Sequence, residues 1–568
     1  MNRLLVLSFS ALAVGFAEAA APSAFAPFRP GEVMVGGEIG RRMEITAAKL
    51  MRTDIEKTFV RHFRTRKETP EMWGGFAGWG MTLDAIVKAA AHGVGGEKFR
   101  QFKDHWVAET LGVQSENGAI SMFSGKLGCW DNHEQAYLLQ ALALDHRHFG
   151  NANALAGARR LADYLIRRKS AVNLGLETGF LLVAAETGDL RYADYCRDRF
   201  ATTGDNDAYD RAIPVNGVLH VYTWIQRVLA QMQYRALTKC GTPDLHAAED
   251  ELFRRAFADY SSVSGSMSGG PRWGEIWDIS QIGLGRWGET CVSAYLLRAT
   301  AARMAEHPET RYGDLYERVM YNAFFGAQSH DGEKQRYFIP FDESGEWFEH
   351  ETYCCPNNLR RMMFELPDAV FFRTADGVAL NLFTPAELKT KGLAVSVKTD
   401  YPQEGHVSAR VTAEKPGVLY VRVPKWTNLP DAGAWRALAY GAGSTDLAVD
   451  FPMDVRLVRG RAAQVSRVAV LRGPVVYAVA KRKGWPGYID ALALDTGAPM
   501  TWKDGGVAVT LVDRRRKERC AETLVPFCSE ERERTYLPVV GDGATVDDEL
   551  YAPHVGTDFE NNKGTEEK

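Results

Sequence analysis

The sequence predicts a mainly α-helical molecule with a C-terminal all-β part: an (α/α)6 toroid over residues 21–375, then a β-sandwich over 376–550. Three observations lead there. Apolar residues recur at helical spacing from about Glu44 to Phe372. That stretch divides into about twelve segments in short-looped pairs, the number that six inner and six outer helices require. After Asp376 the apolar period changes to two.

Taken in order, the chain opens with Arg3, a short apolar run from Leu4 to Phe16, and an A-x-A site at Ala17-Glu18-Ala19. Residues 1–20 therefore read as a secretory signal peptide, and the mature protein is expected in the periplasm or outside the cell. The run is too short to span a bilayer, no later segment is long and apolar enough, and no Cys follows it to carry a lipid.

Helices are expected near 42–66, 80–93, 96–111, 132–148, 152–168, 174–187, 189–201, 216–239, 244–259, 290–306, 311–327 and 357–372. The stripe Val218, Tyr222, Ile225, Leu229, Met232 is spaced four, three, four, three. Two interruptions stand out. Ser261 to Arg272 is rich in Gly and Ser and leads into Trp273-Gly274-Glu275; Gln328 to Tyr353 reads as a hairpin-like excursion around Asp331-Gly332. In the β part, Leu393, Val395 and Val397 alternate with Ala394, Ser396 and Lys398, and Leu419, Val421 and Val423 with Tyr420 and Arg422. Residues 551–568 form a polar tail, of which Asn561 to Lys568 is expected to be disordered.

Composition is that of a globular protein, with 45% apolar and 25% charged residues, and 68 basic against 72 acidic side chains give a net charge of −4. That balance argues against a nucleic-acid partner, and the basic cluster Arg514 to Arg519 is followed by Glu530, Glu531 and Glu533, as on a solvated surface. Of the eight cysteines, Cys520 and Cys528 lie close in a β-like stretch and could pair. The adjacent Cys354 and Cys355 would make a strained disulfide, so metal binding is the better account of them.

Two short motifs carry the chemistry: Gly288-Glu289-Thr290-Cys291 and Tyr353-Cys354-Cys355-Pro356-Asn357-Asn358. Three thiolates and a carboxylate form a plausible tetrahedral zinc set. In an extended segment Glu289 and Cys291 point to the same side, whereas in a helix they diverge by about 200°. The pair therefore belongs at the start of a helix. Pro356 disfavours helical geometry at Cys355 and suits the first helical position itself, which puts both cysteines at a helix N-terminus, where the dipole favours a thiolate. A purely structural zinc site, or buried cysteines without a metal, remain open on spacing alone.

At these residues the sequence resembles glycoside hydrolase family 127, the β-L-arabinofuranosidases, and the related family 146. The likeness covers most of the chain beyond the signal. It includes Glu289-Thr290-Cys291, Arg311 to Arg318 with Tyr321-Asn322, Gln328-Ser329, Cys354-Cys355-Pro356, Val378 to Pro385, Arg422 to Trp426 and Leu471 to Tyr477. The resemblance implies a retaining exo-glycosidase acting on an oligosaccharide or polysaccharide. Cys354 would be its nucleophile, Glu275 its acid/base, and Glu289, Cys291, Cys354 and Cys355 its Zn2+ ligands. His133 and His220 fall where the family places sugar-contacting histidines.

The chain departs from the family's pattern in several places. Asn357 follows Pro356 where a second proline is common, Gly78-Trp79-Gly80 replaces G-H-Y, Ala171 to Ala185 contains no His, and Glu349 to Tyr353 is longer and more acidic than usual. These departures bear on the sugar contacts rather than the catalytic set. Two other readings suit a toroid: a polysaccharide lyase or sugar epimerase using His220 with Tyr222, or a non-catalytic carbohydrate-binding protein with a structural zinc.

Overall fold

The computed structural model describes residues 22, 24–69, 76–125, 127–128, 130–170, 175–200, 221–242, 244–267, 279–481 and 491–551. The signal segment, the tail beyond Tyr551, Cys129, His220 and Glu275 lie outside the described residues.

The first half of the chain is helical, in the order the apolar spacing predicts. The first seven helices are α1 (Gly37–Arg52), α2 (Arg61–Thr65), α3 (Trp79–Ala91), α4 (Gly96–Gly112), α5 (Asp131–Phe149), α6 (Ala152–Arg167) and α7 (Leu176–Thr187). They are followed by α8 (Arg191–Phe200), α9 (Val221–Thr238), α10 (Asp244–Ala256), α11 (Thr290–Glu306), α12 (Thr310–Arg318) and α13 (Cys354–Met363). The odd-numbered helices from α3 to α13 pack side by side in sequence, and α13 closes back onto α3. That closed inner ring of six, with α1, α4, α6, α8, α10 and α12 laid against it, is the (α/α)6 toroid.

Burial follows position in the ring. The outer helix α6 buries one stripe, Ala154, Ala158, Leu161, Ala162 and Leu165, at three- and four-residue spacing. The inner helix α5 is buried on all sides from His133 to Asp145, as a helix surrounded by others must be. Local signals set the ends. Asn151 caps α6 by accepting from the backbone N–H groups of Asn153 and Ala154 at 3.1 and 3.3 Å.

Beyond Leu366 the chain is β-rich. The sequence pattern gives one sandwich over 376–550; the strands sort into two five-stranded sheets followed by a nine-stranded one. Alternation is clear in the strand His406–Ala413, where Val407, Ala409, Val411 and Ala413 turn inward. Strands from before α1 also contribute: Ala26–Pro27 pairs with Phe371–Arg373, and Val33–Val35 with Ala386–Thr390. Period-two alternation identifies the face a strand buries, not its neighbours, so this sorting was not readable from the pattern.

Buried ion pairs join the helical and β parts. Arg422, fully buried, bonds Glu317 at 2.8 Å, the Asn381 carbonyl at 2.9 Å and the Asp314 carboxylate. Arg318 of α12 pairs with Asp548 at 2.9 Å. No disulfide joins Cys520 to Cys528, which corrects the pairing considered for them. Cys520 lies in the extended strand Glu518–Pro526 and Cys528 beyond its end, a separation of roughly 20 Å in extended chain.

Candidate active site

The inner helices α5, α9 and α13 bring residues near their N-termini to one cleft of about 1200 Å3: Trp130 and His133 from α5, Tyr222 from α9 and Cys354 from α13. Tyr337 and Phe76 complete the inner wall.

Glu289 is held extended, at φ −58° and ψ 134°, directly before α11. It forms an isolated antiparallel bridge with Phe338, and Thr290 N donates to the Tyr337 carbonyl at 2.9 Å. Gly288 makes the approach possible. Its φ is +67°, and a Cβ there would lie 2.7 Å from the Ile339 carbonyl oxygen. Glu289 is thus extended and Cys291 stands in the first turn of α11, at the helix entry that the spacing predicts, and their side chains enter the same space.

Tyr353, extended at φ −108° and ψ 166°, caps α13. The helix begins at Cys354, two residues before the start that Pro356 suggested. A proline is tolerated third because the first-turn N–H groups have no intrahelical partner in any case. Both cysteines occupy the first turn.

The result is one cluster. A ligand atom from each of Glu289, Cys291, Cys354 and Cys355 lies within 4.8 Å of all the others. Cys291, Cys355 and Glu289 are fully buried, whereas Cys354 is half-buried and lines the cleft. Cys355 Sγ donates to Glu289 Oε1 at 3.3 Å, and the Tyr337 hydroxyl lies 3.2 Å from Cys354 Sγ. Burial pushes the Cys291 and Cys355 thiols well above the usual range, with hydrogen bonds among the thiols a further cause. A cation among them would reverse that penalty and hold them as thiolates. Three sulfurs and one carboxylate oxygen at this spacing could hold a metal ion, and the donor set fits zinc.

His133 sits in the first turn of α5, buried, with Nε2 3.1 Å from the Tyr222 hydroxyl and its ring edge-on to Trp130, Phe76 and Tyr137. Tyr337 and Asn358 were missed in the sequence. Tyr337 stands in no pattern that marks it and reaches Cys354 through the bridge beside Glu289, whereas Asn358 stands in the cysteine motif with nothing there to mark it as a donor.

The departures noted at Gly78-Trp79-Gly80 and Asn357 pack against each other beneath the site. Asn357 accepts from Thr82 Oγ1 at 2.7 Å and donates to the Tyr353 carbonyl at 2.8 Å and the Glu351 carbonyl at 3.0 Å. Gly78, at φ +78°, leaves room for it, since a Cβ would come 2.5 Å from Asn357 Nδ2. Glu134 ties the same turn down by accepting from the N–H groups of Ala77, Gly78 and Gly80 at 3.0, 2.8 and 2.6 Å. Asn357 thus fastens the acidic segment before Cys354 to α3 and α13.

A helical toroid with a β-rich C-terminal part and a Cys/Glu cluster at the mouth of its inner ring is the arrangement expected of the resemblance noted above. Residues 40–368 match the β-L-arabinofuranosidase GH127 catalytic domain, and residues 377–450 the GH127 middle domain. The chain belongs to glycoside hydrolase family 127. A non-reducing end β-L-arabinofuranosidase of Bifidobacterium longum subsp. longum is 27% identical over 235 residues, which span 34% of this chain and 35% of that protein's length. Among solved structures, a GH127 β-arabinofuranosidase superposes with a TM-score of 0.77 at 18% identity, covering 91% of this chain and 98% of that one. The GH127 β-L-arabinofuranosidase from Geobacillus stearothermophilus T6 gives 0.73 at 17% identity, covering 89% and 99%. These two likenesses are of fold.

Proposed function

We propose that this protein is an exported, zinc-dependent retaining exo-glycosidase of the β-L-arabinofuranosidase type that releases a terminal sugar from an oligosaccharide or polysaccharide. The observation that carries the reading is the cluster itself: of its three sulfurs, Cys354 alone opens onto the cleft. Family membership and the signal-like N-terminus support the rest.

In this reading the chemistry is a double displacement with a thiolate in place of one of the usual two carboxylates. Cys354 Sγ attacks the anomeric carbon as its bond to the leaving oxygen breaks, and Glu275, protonated, gives that oxygen its proton. Glu275, now a carboxylate, then takes a proton from water, which attacks the anomeric carbon and breaks the carbon–sulfur bond. Zinc, when bound by Glu289, Cys291, Cys354 and Cys355, supplies the charge that keeps the thiolate ionised at neutral pH and improves it as a leaving group. His133 and His220 are assigned to sugar hydroxyls. The family assignment favours hydrolysis over the lyase and epimerase readings.

The test is release of p-nitrophenol from a panel of aryl furanosides and pyranosides, β-L-arabinofuranoside included, with Cys354→Ser alongside. Turnover of a furanoside that disappears in the variant is the expected result. Full activity in Cys354→Ser on a confirmed substrate would remove the nucleophile from the proposal.

A further inference from the structure

The three sulfurs of the cluster have unequal surroundings. Cys354 faces the cleft and the Tyr337 hydroxyl, and Cys355 faces the Glu289 carboxylate. Cys291, fully buried, accepts an N–H from Asn358 Nδ2 at 3.2 Å. Asn358 is itself fully buried, and its amide is locked in one orientation. Its Oδ1 accepts from Arg361 Nη1 at 2.9 Å. Arg361 in turn bonds the Tyr295 hydroxyl at 3.1 Å, Gln140 Oε1 at 3.2 Å and, through Nε, the Asp84 carboxylate. Turning the amide over would set its NH2 against the guanidinium, donor facing donor, and leave both unsatisfied in a buried site. Asn358 therefore presents a donor, not an acceptor, to the Cys291 sulfur.

An amide donor aimed at a sulfur favours its anion and draws charge from it. On a metal-bound thiolate it orients the ligand and makes it less reactive, as partners one layer behind a metal site do. We propose that Asn358 is a positioning residue that fixes Cys291 as a permanent metal ligand, held in its donor orientation by Arg361 and Asp84. The inference rests on the metal reading of the cluster and deepens it. Asn358 sorts the thiolates, quieting the buried Cys291 and leaving reactivity to the cleft-facing Cys354.

The experiment uses the full chain as wild type, Asn358→Asp and Asn358→Ala. Asn358→Asp is isosteric, keeps an acceptor for Arg361 with added charge and removes the donor toward sulfur, so the fold survives even where Asn358→Ala loosens it. Zinc affinity is read by chelator competition, the cobalt-substituted protein by its thiolate-to-metal charge-transfer band, and the metal-free proteins by their melting temperatures. Zinc is expected to bind roughly 10- to 100-fold more weakly in both variants, with a shifted band, while metal-free Asn358→Asp melts no lower than metal-free wild type. Wild-type affinity and an unchanged band in both variants would overturn the role of Asn358 and leave the metal site standing. A lower melting temperature with an unchanged band would make Asn358 a structural residue and overturn the proposal. A wild-type protein that binds neither metal would overturn this inference together with the reading beneath it.

Discussion

Cys354 at the floor of the cleft belongs to a cluster built from the first turns of α11 and α13, and the cleft's rim comes from the segment Glu343 to Phe348, from Lys481 just past the strand Val475–Ala480 and from Glu533 in the strand Arg532–Arg534. Each floor donor is placed by main-chain geometry: Glu289 by the bridge to Phe338, Cys354 and Cys355 by the extended cap at Tyr353. The rim is built of long polar and aromatic side chains, including Arg286 and Glu346 on connections and Trp347 in a two-residue strand. A floor fixed in this way suits chemistry that tolerates little displacement, and a rim on connections suits recognition that varies from one glycan to another.

If the division holds, damage to the floor removes turnover and damage to the rim changes substrate binding. The largest effect is expected from Cys354→Ser, which should lower kcat by roughly 1,000-fold or more without unfolding the protein, as steady-state kinetics and circular dichroism would show. Chelation should come next. Activity is expected to fall at least roughly 100-fold at chelator concentrations where a cooperative melt persists, because the toroid's core does not depend on the metal; simultaneous loss of fold and activity would make the site structural. Gly288→Ala forces a side chain into the left-handed region against the Ile339 carbonyl, at a cost of about 1–3 kcal/mol. It should weaken zinc binding measurably in the same competition assay. At the rim, Trp347→Ala should raise KM on an oligosaccharide roughly tenfold with little change in kcat. A fall in kcat alone would place Trp347 with the floor.

The smallest effect concerns stability, away from both regions. Burial pushes the His148 imidazole, near the end of α5, down to about 4, and the neighbouring Arg147 adds to the shift. The unfolded chain therefore binds the extra proton first. The contribution is complete above about pH 6.5 and is lost as pH falls toward 4. Residual solvent access reduces it to about 1 kcal/mol. Denaturant unfolding at pH 4.5 and pH 7 should show a smaller difference in His148→Gln than in wild type.

The floor was legible in the sequence because its donors stand in two short runs whose spacing constrains geometry. Their spacing put Glu289 and Cys291 at the entry to a helix, and there Glu289 is extended and Cys291 stands in the first turn of α11. The helices were legible through their apolar period, most plainly where one stripe is buried, as in α6. The rim was not. Lys481 and Glu533, like Tyr337 on the inner wall, reach the cleft through pairings far apart in the chain, and nothing local encodes which strand lies beside which. Asn358 was visible as a residue but not as a donor to Cys291, because its orientation depends on Arg361 and Asp84. Pro356 pointed to a later helix start, since the rule for the residue before proline competes with a cap at Tyr353 and loses.

The most direct test of the central claim is to locate the sugar on the enzyme. Glu275→Gln would be incubated with an aryl furanoside whose leaving group needs no acid, and its peptides then mapped by mass spectrometry. The thiolate account expects the adduct, one sugar residue, on the peptide that carries Cys354, because the step that clears it lacks its base. A sugar found on a carboxylate, or turnover that gives inverted product and never an adduct, would contradict it.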